Sequence, residues 1–293
     1  MSLSQDSGTT GPPPTAPQIR WAAGTDVGRF RKVNQDAYLM FACNPERYAV
    51  LPNAGCVDLG SSDVVLAISD GMGGGKLGHR ASKLALSKLG DLLPRNLQAA
   101  DAEGAPDYHD FLSQIVYEAH EAVNEEARHY LECEGMGATL TIGWVTPTSL
   151  HIGHVGDSRL YLYASGRLRQ LTHDHTLVGH MQRRGELTEM QARNHPRRSA
   201  LSQAIGAGAS GIVPQLLSAS LAPGDIYLFC SDGLMEGLWD KNVAVQLELR
   251  ARGEVSLEET RDALMRDALE TGGRDNITLI VAEVLEAQPQ PEQ

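Results

Sequence analysis

Short apolar segments separated by polar turns run through most of the chain, and they predict a protein rich in β-strands. Some of these segments are continuous apolar runs, and others alternate apolar with polar residues. The predicted strands are residues 64–69 (VVLAIS), 138–145 (ATLTIGWV), 149–156 (SLHIGHVG), 159–171 (RLYLYASGRLRQL), 226–231 (IYLFCS) and 276–285 (NITLIVAEVL). Segment 159–171 is expected to fold back at Ala164, Ser165 and Gly166. Because the connections are short, neighbouring strands are expected to be antiparallel.

Other segments carry apolar residues at helical spacing. Helices are predicted within residues 80–93, 109–131, 188–194 and 257–270. Ser256 with Glu259, and Thr188 with Gln191, have the spacing of a capping box, which begins a helix. Since the strands form hairpins and the helices lie in separate segments, the pattern favours an α+β layered domain over alternating βαβ units.

The two ends of the chain differ from the rest in composition. Residues 1–18 are rich in Ser, Gly, Thr and Pro, and residues 286–293 (EAQPQPEQ) contain almost nothing apolar. Such segments bury too little surface to offset the entropy of ordering, so both are predicted to be disordered tails. The chain between them has no long linker and no repeat, which indicates a single domain at 19–285.

Composition excludes several classes of protein. The 293 residues carry a net charge of −12, which disfavours nucleic-acid binding because that function needs a basic surface. No apolar run approaches the roughly 18 residues of a membrane span, and the N-terminus lacks the pattern of a secretory signal. The four cysteines show no CxxC pair and no zinc spacing, so we interpret them as reduced thiols in a cytoplasmic protein, with Cys230 a buried structural thiol.

Three aspartates occupy similar positions at the ends of predicted strands. Asp70 and Asp232 each follow an apolar run and precede a glycine, and Asp275 stands just before the last predicted strand. Strand ends of an antiparallel sheet can meet at one edge, where several carboxylates would repel one another unless they are protonated or bind metal. Oxygen ligands without Cys or His select hard cations such as Mg²⁺ or Mn²⁺. The alternative is that each aspartate merely caps a turn.

Seven segments, in this order along the chain, resemble the motif series of the metal-dependent (PPM, type 2C) serine/threonine protein phosphatases, in the form of a bacterial-type member. They are residues 25–37 (TDVGRFRKVNQDA), 69–82 (SDGMGGGKLGHRAS), 135–140 (GMGATL), 154–161 (HVGDSRLY), 171–176 (LTHDHT), 230–234 (CSDGL) and 272–278 (GGRDNIT). The resemblance spans about residues 20–285 and implies a four-layer α-β-β-α sandwich, in which antiparallel helices flank two antiparallel sheets.

The resemblance also implies a centre for two Mn²⁺ or Mg²⁺ ions. By motif, Asp70 corresponds to the bridging ligand, Gly71 to a backbone-carbonyl ligand, and Asp232 and Asp275 to ligands of the first metal. Asp36 corresponds to the acidic residue of the second metal, which often acts through water. These residues are the implied metal ligands, and Asp36, Asp70 and Asp232 the implied catalytic acids.

Arg31 corresponds to the phosphate-binding arginine of the family, although it could also be a surface arginine in the basic run RFRK. The four acids balance two divalent cations, and Arg31 then makes the site slightly positive. A hydroxide bridging both metals is expected to attack the phosphoryl group directly, without a phosphoenzyme. Met72 stands where some members have a proton-donating histidine, so a metal-bound water is the expected acid and His79 a weaker alternative.

Two further sets of residues remain open at this stage. Glu134 and Asp157 are the candidates for a third metal, but Asp157 can equally be a hydrogen-bonding turn residue. Residues 176–200 correspond to the variable flap of the family. Its arginines either contact the substrate or form a solvated helix face; they are Arg183, Arg184, Arg197 and Arg198.

The resemblance therefore implies that the protein hydrolyses phosphoserine and phosphothreonine in proteins. The partners implied are phosphorylated proteins and a cognate Ser/Thr kinase, with no membrane span, and a monomer is expected. The alternative is a catalytically weak regulator of the same fold that binds phosphoproteins. GMGGGK at 71–76 does not make a nucleotide loop, because Lys76 is followed by Leu77 rather than Ser or Thr.

Overall fold

The computed structural model describes residues 16–44, 46–103 and 107–287, with the backbone alone for residues 93–103. The tails predicted to be disordered, 1–18 and 286–293, lie largely outside the described residues, and their disorder stays a prediction. The domain limits 19–285 likewise stay a prediction, and the first strand begins at Gln18.

The described chain forms fifteen strands. They are β1 (Gln18–Asp26), β2 (Ala37–Asn44), β3 (Arg47–Val50), β4 (Ala54–Asp58), β5 (Asp63–Ser69), β6 (Gly71–Met72), β7 (Gly137–Ala138), β8 (Leu140–Val145), β9 (Ser149–Val155), β10 (Arg159–Ala164), β11 (Arg167–Gln170), β12 (Ile205–Gly206), β13 (Gln215–Ser220), β14 (Ile226–Cys230) and β15 (Ile277–Leu285).

Seven α-helices and one 3₁₀ turn complete the described chain. They are α1 (Lys76–Glu103), α2 (Tyr108–His129), the 3₁₀ turn Leu131–Cys133, α3 (Leu177–Arg183), α4 (Glu189–Arg193), α5 (Asp232–Gly237), α6 (Asp240–Ala251) and α7 (Leu257–Thr271). None of the helices in the described part of the chain combines the length and the apolar character needed to cross a membrane.

Two six-stranded sheets form the centre of the molecule. Sheet I has the order β11-β10-β14-β15-β1-β4, sheet II has the order β13-β9-β8-β5-β2-β3, and a small sheet joins β12, β7 and β6. Every pairing of neighbouring strands in these sheets is antiparallel, as the short connections predicted.

Three apolar cores lie between four layers. Leu66 of β5 and Phe229 of β14 belong to the core between the sheets. Val65, one position along β5, belongs to the core between sheet II and helices α1 and α2, because successive side chains of a strand point to opposite faces. Leu264 of α7 belongs to the third core, which lies on the outer face of sheet I. The layers are therefore α, β, β, α, and the predicted α+β sandwich is confirmed.

The six predicted strand segments are confirmed, including the hairpin of β10 and β11, where Ser165 and Gly166 adopt positive φ. Both predicted capping boxes form. The pattern missed seven strands and three helices, which are β1, β2, β3, β4, β6, β12 and β13 and α3, α5 and α6. Helix α1 is longer than predicted and begins at Lys76, directly after glycines 73–75.

Candidate metal centre

Asp36 and Asp70 are brought together by adjacent strands of sheet II. Asp36 directly precedes β2 and Asp70 directly follows β5, and Ala37 pairs with Ser69 across these two strands. The Asp70 backbone is fixed by Thr139, whose Oγ1 accepts a hydrogen bond from Asp70 N at 2.9 Å. Thr139 N in turn donates to Asp70 O at 2.8 Å. The antiparallel register therefore sets the two carboxylates side by side.

Asp232 and Asp275 come from sheet I. Asp232 is the first residue of α5, just after β14, and Asp275 stands two residues before β15, the neighbour of β14. Ser231 connects the two sheets, because its Oγ donates to Asp36 Oδ2 at 2.7 Å and accepts from Thr278 N at 3.0 Å. The strand ends alone predicted the acids at one edge of a sheet; they come instead from strands of two facing sheets.

Gly71 places a backbone carbonyl beside Asp70, and its lack of a side chain is required there. A Cβ at Gly71 would overlap the carbonyl of Gly78 in the first turn of α1 and would lie 2.8 Å from Gln35 O. Gly71 N donates to Gln35 O at 3.2 Å. Helix α1 can therefore approach the centre closely only because both Gly71 and Gly78 lack Cβ atoms.

The carboxylates are held in an environment that disfavours their charged forms. Burial, followed by the charge of Asp36, raises the pKa of Asp70 well above its usual value. Burial, followed by the charge of Asp157, does the same to the pKa of Asp232. Burial also raises the pKa of Asp36 to about 6 and that of Asp157 to about 7. Without a cation, these acids would hold protons at pH values where an ordinary aspartate has lost them.

Two oxygens of the cluster have no partner. Asp36 Oδ1 and Asp232 Oδ1 are buried and accept no hydrogen bond in the described chain. Unpartnered buried carboxylate oxygens are costly, and a hard divalent cation is the partner that an oxygen-only site selects. No three His, Cys, Asp or Glu side chains among the described residues already converge as a complete set of metal ligands. The acids thus fit Mg²⁺ or Mn²⁺ in composition, with the Gly71 carbonyl and water available as further oxygen ligands.

Arg31 lies at the edge of the cluster on a loop held by Asn276. Arg31 Nη2 donates to Asp275 Oδ2 at 2.6 Å, and this hydrogen bond raises the pKa of Arg31 above its usual value. Asn276 Nδ2 donates to the carbonyls of Val27 and Val33 at 2.8 and 3.2 Å, so the two ends of the loop are fixed. The sequence interpretation missed Asn276, although it directly follows Asp275 in the motif GGRDNIT.

The two candidate ligands for a third metal occupy different environments. Asp157 lies near the cluster, since its charge contributes to the raised pKa values of Asp70 and Asp232. Glu134 is exposed after the 3₁₀ turn, and its side chain has no hydrogen bond or ion pair with any cluster residue that the structure describes. Of this pair, Asp157 is the one that the structure ties to the cluster.

His79 and Met72 lie close to the centre but differ in what they can donate. Met72 is in β6, and its thioether carries no proton. His79 Nδ1 lies 2.9 Å from Asn34 O. A carbonyl only accepts, so Nδ1 must carry the proton, and His79 can donate from Nε2 only when both ring nitrogens are protonated.

The flap segment, residues 176–200, is attached to the body of the protein by several arginines. Arg183 donates to Asp174 O at 3.0 Å, Arg184 pairs with Glu186 within the flap at 2.8 Å, and Arg198 pairs with Glu236 at 3.4 Å. The side chain of Arg197 has no hydrogen bond or ion pair within the described ranges. Three of the four predicted flap arginines are thus engaged by the protein itself.

Arg193 is a further flap arginine, and the sequence interpretation missed it. Its Nη1 donates to Met235 O at 2.9 Å, its Nη2 donates to Leu238 O, and its guanidinium lies over the Trp239 ring at 4.0 Å. These contacts join helix α4 to the C-terminal end of α5, the helix that begins at Asp232. Nothing in the spacing of Arg193 distinguishes it from its neighbouring arginines.

Comparison with known proteins gives consistent matches. A family model described as Protein phosphatase 2C matches residues 53–271, a range that includes Asp70 and Asp232 but not Arg31, Asp36 or Asp275. Serine/threonine protein phosphatase PstP of Mycobacterium tuberculosis is 33% identical over 84% of this chain, which spans about half (47%) of that protein. Serine/threonine phosphatase stp of Listeria welshimeri is 31% identical over 88% of this chain and 93% of its own length.

A solved structure matches over nearly the whole domain. It is the catalytic domain of serine/threonine protein phosphatase PstP in complex with two manganese ions, with a TM-score of 0.72, 29% identity, and coverage of 92% of this chain and 99% of that one. The order of the strands, the acids from two facing sheets and these matches agree, and the chain belongs to the protein phosphatase 2C family.

Proposed function

We propose that this protein is a metal-dependent phosphatase that hydrolyses phosphoserine and phosphothreonine in proteins. The observation that carries the proposal is the pair of buried, unpartnered oxygens of Asp36 and Asp232 in a carboxylate cluster beside Arg31. A cluster of this kind needs cations, and Arg31 offers a planar, charged donor set for the phosphate that those cations attract.

The proposed cofactors are two Mn²⁺ or Mg²⁺ ions, and the relative with two manganese ions supports this number. Asp70 and the Gly71 carbonyl, with Asp36, would hold one cation, while Asp232 and Asp275 would complete the other; Asp157 is a candidate for a third. When bound, such cations supply acidified water near neutral pH and polarise the phosphoryl group.

The residues of the chain have separate tasks in this mechanism. Arg31 binds phosphoryl oxygens, and Asp275, its present partner at 2.6 Å, holds the guanidinium at the edge of the cluster. Ser231 keeps Asp36 oriented through its 2.7 Å hydrogen bond. Met72 carries no proton, so the proton for the leaving serine or threonine oxygen comes from water in this mechanism. His79, whose Nδ1 donates to Asn34 O, is the weaker alternative, because it could donate from Nε2 only as the doubly protonated imidazolium.

Turnover of p-nitrophenyl phosphate and of a phosphothreonine peptide, with and without Mn²⁺, tests the proposal. We expect metal-stimulated turnover of both substrates in the wild type, and a loss of at least about a hundredfold in Asp70→Asn, because that variant lacks a carboxylate charge that would hold the cations. Asp262→Asn, an exposed acid on α7, is the matched control and should retain wild-type rates. If the wild-type protein binds the phosphopeptide without hydrolysing it, the result would instead support the alternative function, a catalytically weak regulator that binds phosphoproteins.

The same proposal includes the setting in which the enzyme acts. Its substrates are phosphoproteins made by a Ser/Thr kinase, and we propose that the protein opposes such a kinase as a monomer in the cytoplasm. A reducing compartment is supported by the cysteines, because all four are free and Cys43, Cys133 and Cys230 are buried. The phosphoproteins that accumulate in a deletion strain would identify the pathway.

A further inference from the structure

One cavity of about 1090 Å³ opens directly beside the carboxylate cluster. Asp157 and Asp232 line it from the cluster, the flap segment forms one wall, and residues 232–242 form another. Phe30 and Arg274 contribute from the loops that flank Asp275. A phosphorylated peptide whose phosphate reaches the cluster would have its neighbouring residues close to this cavity.

Two large apolar side chains line the cavity without being buried by the protein. Phe30 is 71% exposed and Met190, on α4, is 63% exposed. Single exposed apolar residues are common on protein surfaces and need no explanation. Here, however, both lie in one concave space next to the proposed catalytic centre, where they can cover an apolar side chain of a substrate.

Phe30 is held in place by the backbone on its N-terminal side. Gly28 N donates to Asp26 Oδ1 at 2.7 Å, and Arg29 N donates to Gly273 O at 2.7 Å. A Cβ on Gly28 would overlap Asp275 O, so the loop lies tightly against the segment that carries the acid. A loop whose backbone is already ordered loses less entropy on binding, which favours the use of Phe30 as a contact surface.

The charges that line the cavity favour an anionic ligand. Outside the carboxylate cluster, every acidic side chain of the lining is within 4.0 Å of an arginine of the protein itself. These pairs are Asp174 and Asp240 with Arg159, Glu189 with Arg193, and Glu236 with Arg198. Among the described residues, Lys241 and Arg274 line the cavity with no acidic partner within that distance. Outside the cluster the lining thus holds four acids and five bases, a net charge of +1, and its two cluster acids, Asp157 and Asp232, are ones that the proposed cations would neutralise. With those cations bound, the lining suits a phosphopeptide.

Chain geometry relates Phe30 to the phosphorylated residue. Phe30 directly precedes Arg31, the proposed phosphate-binding residue, and consecutive Cα atoms are 3.8 Å apart. An extended peptide advances about 3.3 Å per residue. A side chain that rests on Phe30 thus belongs to a residue within about three positions of the phosphoserine or phosphothreonine.

We propose that this cavity selects phosphoprotein segments with a large apolar side chain within three positions of the phosphorylated residue, and that Phe30 and Met190 bind that side chain. The inference rests on the proposed function for its phosphorylated ligand. It adds a determinant of substrate choice that lies outside the metal centre.

Binding of non-hydrolysable peptides in the presence of Mn²⁺ tests this proposal. The peptides carry a phosphonate analogue of phosphothreonine in an acidic sequence and differ only in having Leu or Ala at each of the three flanking positions on either side. Dissociation constants come from fluorescence anisotropy with the wild type, Phe30→Ala, Met190→Ala and the control Val213→Ala. Val213 is 71% exposed, as Phe30 is, but does not line the cavity.

We expect the wild type and Val213→Ala to bind the Leu peptide about five- to twentyfold more tightly than the Ala peptide for at least one position, from the apolar area of a leucine. Phe30→Ala and Met190→Ala should each reduce this ratio to about threefold or less. A wild-type ratio near one at every position, or an undiminished ratio in both variants, overturns the proposal. The measurement needs no turnover, so it stands apart from a failure of the phosphatase assay.

Discussion

At the scale of single residues, the candidate metal centre is defined by buried carboxylates whose charged forms are unfavourable without a cation. Asp36 is buried, its Oδ2 accepts from Ser231, and its Oδ1 accepts nothing in the described chain. Burial, and after it the charges of neighbouring carboxylates, raises the pKa values of Asp70 and Asp232 well above the ordinary range. Burying several carboxylates close together costs free energy, so the protein is expected to be less stable without cations than with them.

Through Asp36, the free energy of unfolding without cations depends on pH. Its pKa rises from 3.8 to about 6 on folding, chiefly through burial, so the folded protein binds a proton that the unfolded chain has released. The stabilisation that comes from the protonated form of Asp36 is thus complete below about pH 4 and is lost as the pH rises through about 6. In EDTA, urea unfolding should show wild-type stability falling across this window, and Asp36→Asn should flatten the fall. A steeper fall in Asp36→Asn would contradict this assignment.

Arg31 is expected to act on the substrate and to contribute little to the fold. Its side chain is 46% exposed, and exposed ion pairs such as the one with Asp275 contribute less than about 1 kcal/mol. Arg31→Ala should therefore leave the melting temperature nearly unchanged while raising KM for p-nitrophenyl phosphate about tenfold, with Arg31→Lys intermediate. Initial rates at saturating Mn²⁺ and thermal melts separate the two effects. A large fall in melting temperature with unchanged KM would show that Arg31 is structural.

At the scale of elements, the sequence predicts strands β5, β14 and β15, which adjoin Asp70, Asp232 and Asp275, but it misses β2, which follows Asp36. Strand β5 is a plain apolar run because both of its faces are buried, Val65 toward α1 and α2 and Leu66 toward sheet I. Strand β1 (QIRWAAGTD) is also largely buried, but small residues and Arg20 interrupt its pattern. Its pairing with β15 and β4 is a tertiary contact that no local pattern encodes.

Helices α5 and α6 were missed for related reasons. Helix α5 has six residues, too few for a periodic pattern, and its position depends on packing against α7 and β15. Helix α6 buries Val243 and Leu247, which make a stripe too narrow to stand out. Capping boxes, in contrast, are made of hydrogen bonds between residues three positions apart, so both could be predicted from a few neighbouring residues.

The first turn of α1 is the element whose fit to the metal centre can be tested most directly. A Cβ on Gly78 would overlap Gln35 Nε2 and lie 2.5 Å from Gly71 O. We expect Gly78→Ala to destabilise the protein by about 2 kcal/mol or more, because backbone must move to relieve the overlap, and to lower turnover by displacing the Gly71 carbonyl. Urea unfolding and Mn²⁺-dependent turnover measure the two consequences.

Gly90→Ala in the same helix is the matched control. Its Cβ would lie 3.4 Å from Phe41 Cζ, an ordinary contact, and alanine is favoured over glycine in a helix by about 0.5–1 kcal/mol. This variant should be as stable as the wild type or slightly more so, with unchanged turnover. Equal effects of the two substitutions would mean that close packing at Gly78 does not support the centre.

At the scale of the whole molecule, the centre joins two sheets that are otherwise held together mainly by apolar contacts. Asp36 and Asp70 belong to sheet II, and Asp232 and Asp275 belong to sheet I. The motifs predicted which acids meet, but periodicity could not show that they face each other across a sandwich, since that depends on how distant strands pack. In the described chain, the Ser231–Asp36 hydrogen bond is a direct polar link between the two sets.

Cations bound by acids of both sheets should stabilise the two sheets together. At a Mn²⁺ concentration a hundredfold above the dissociation constant, mass action adds about 2.7 kcal/mol to the free energy of unfolding. We therefore expect Mn²⁺ to slow amide hydrogen exchange both at residues 69–72, which follow from the end of β5 in sheet II, and at residues 276–279, at the start of β15 in sheet I. Asp70→Asn should lose the protection at both places, although the Asp70 side chain belongs to sheet II alone. A cation that needs ligands from both sheets is not retained by the ligands of one sheet. Protection confined to sheet II in the wild type, or retained at 276–279 in Asp70→Asn, would show that each sheet holds its metal independently and that Asp70 does not bridge.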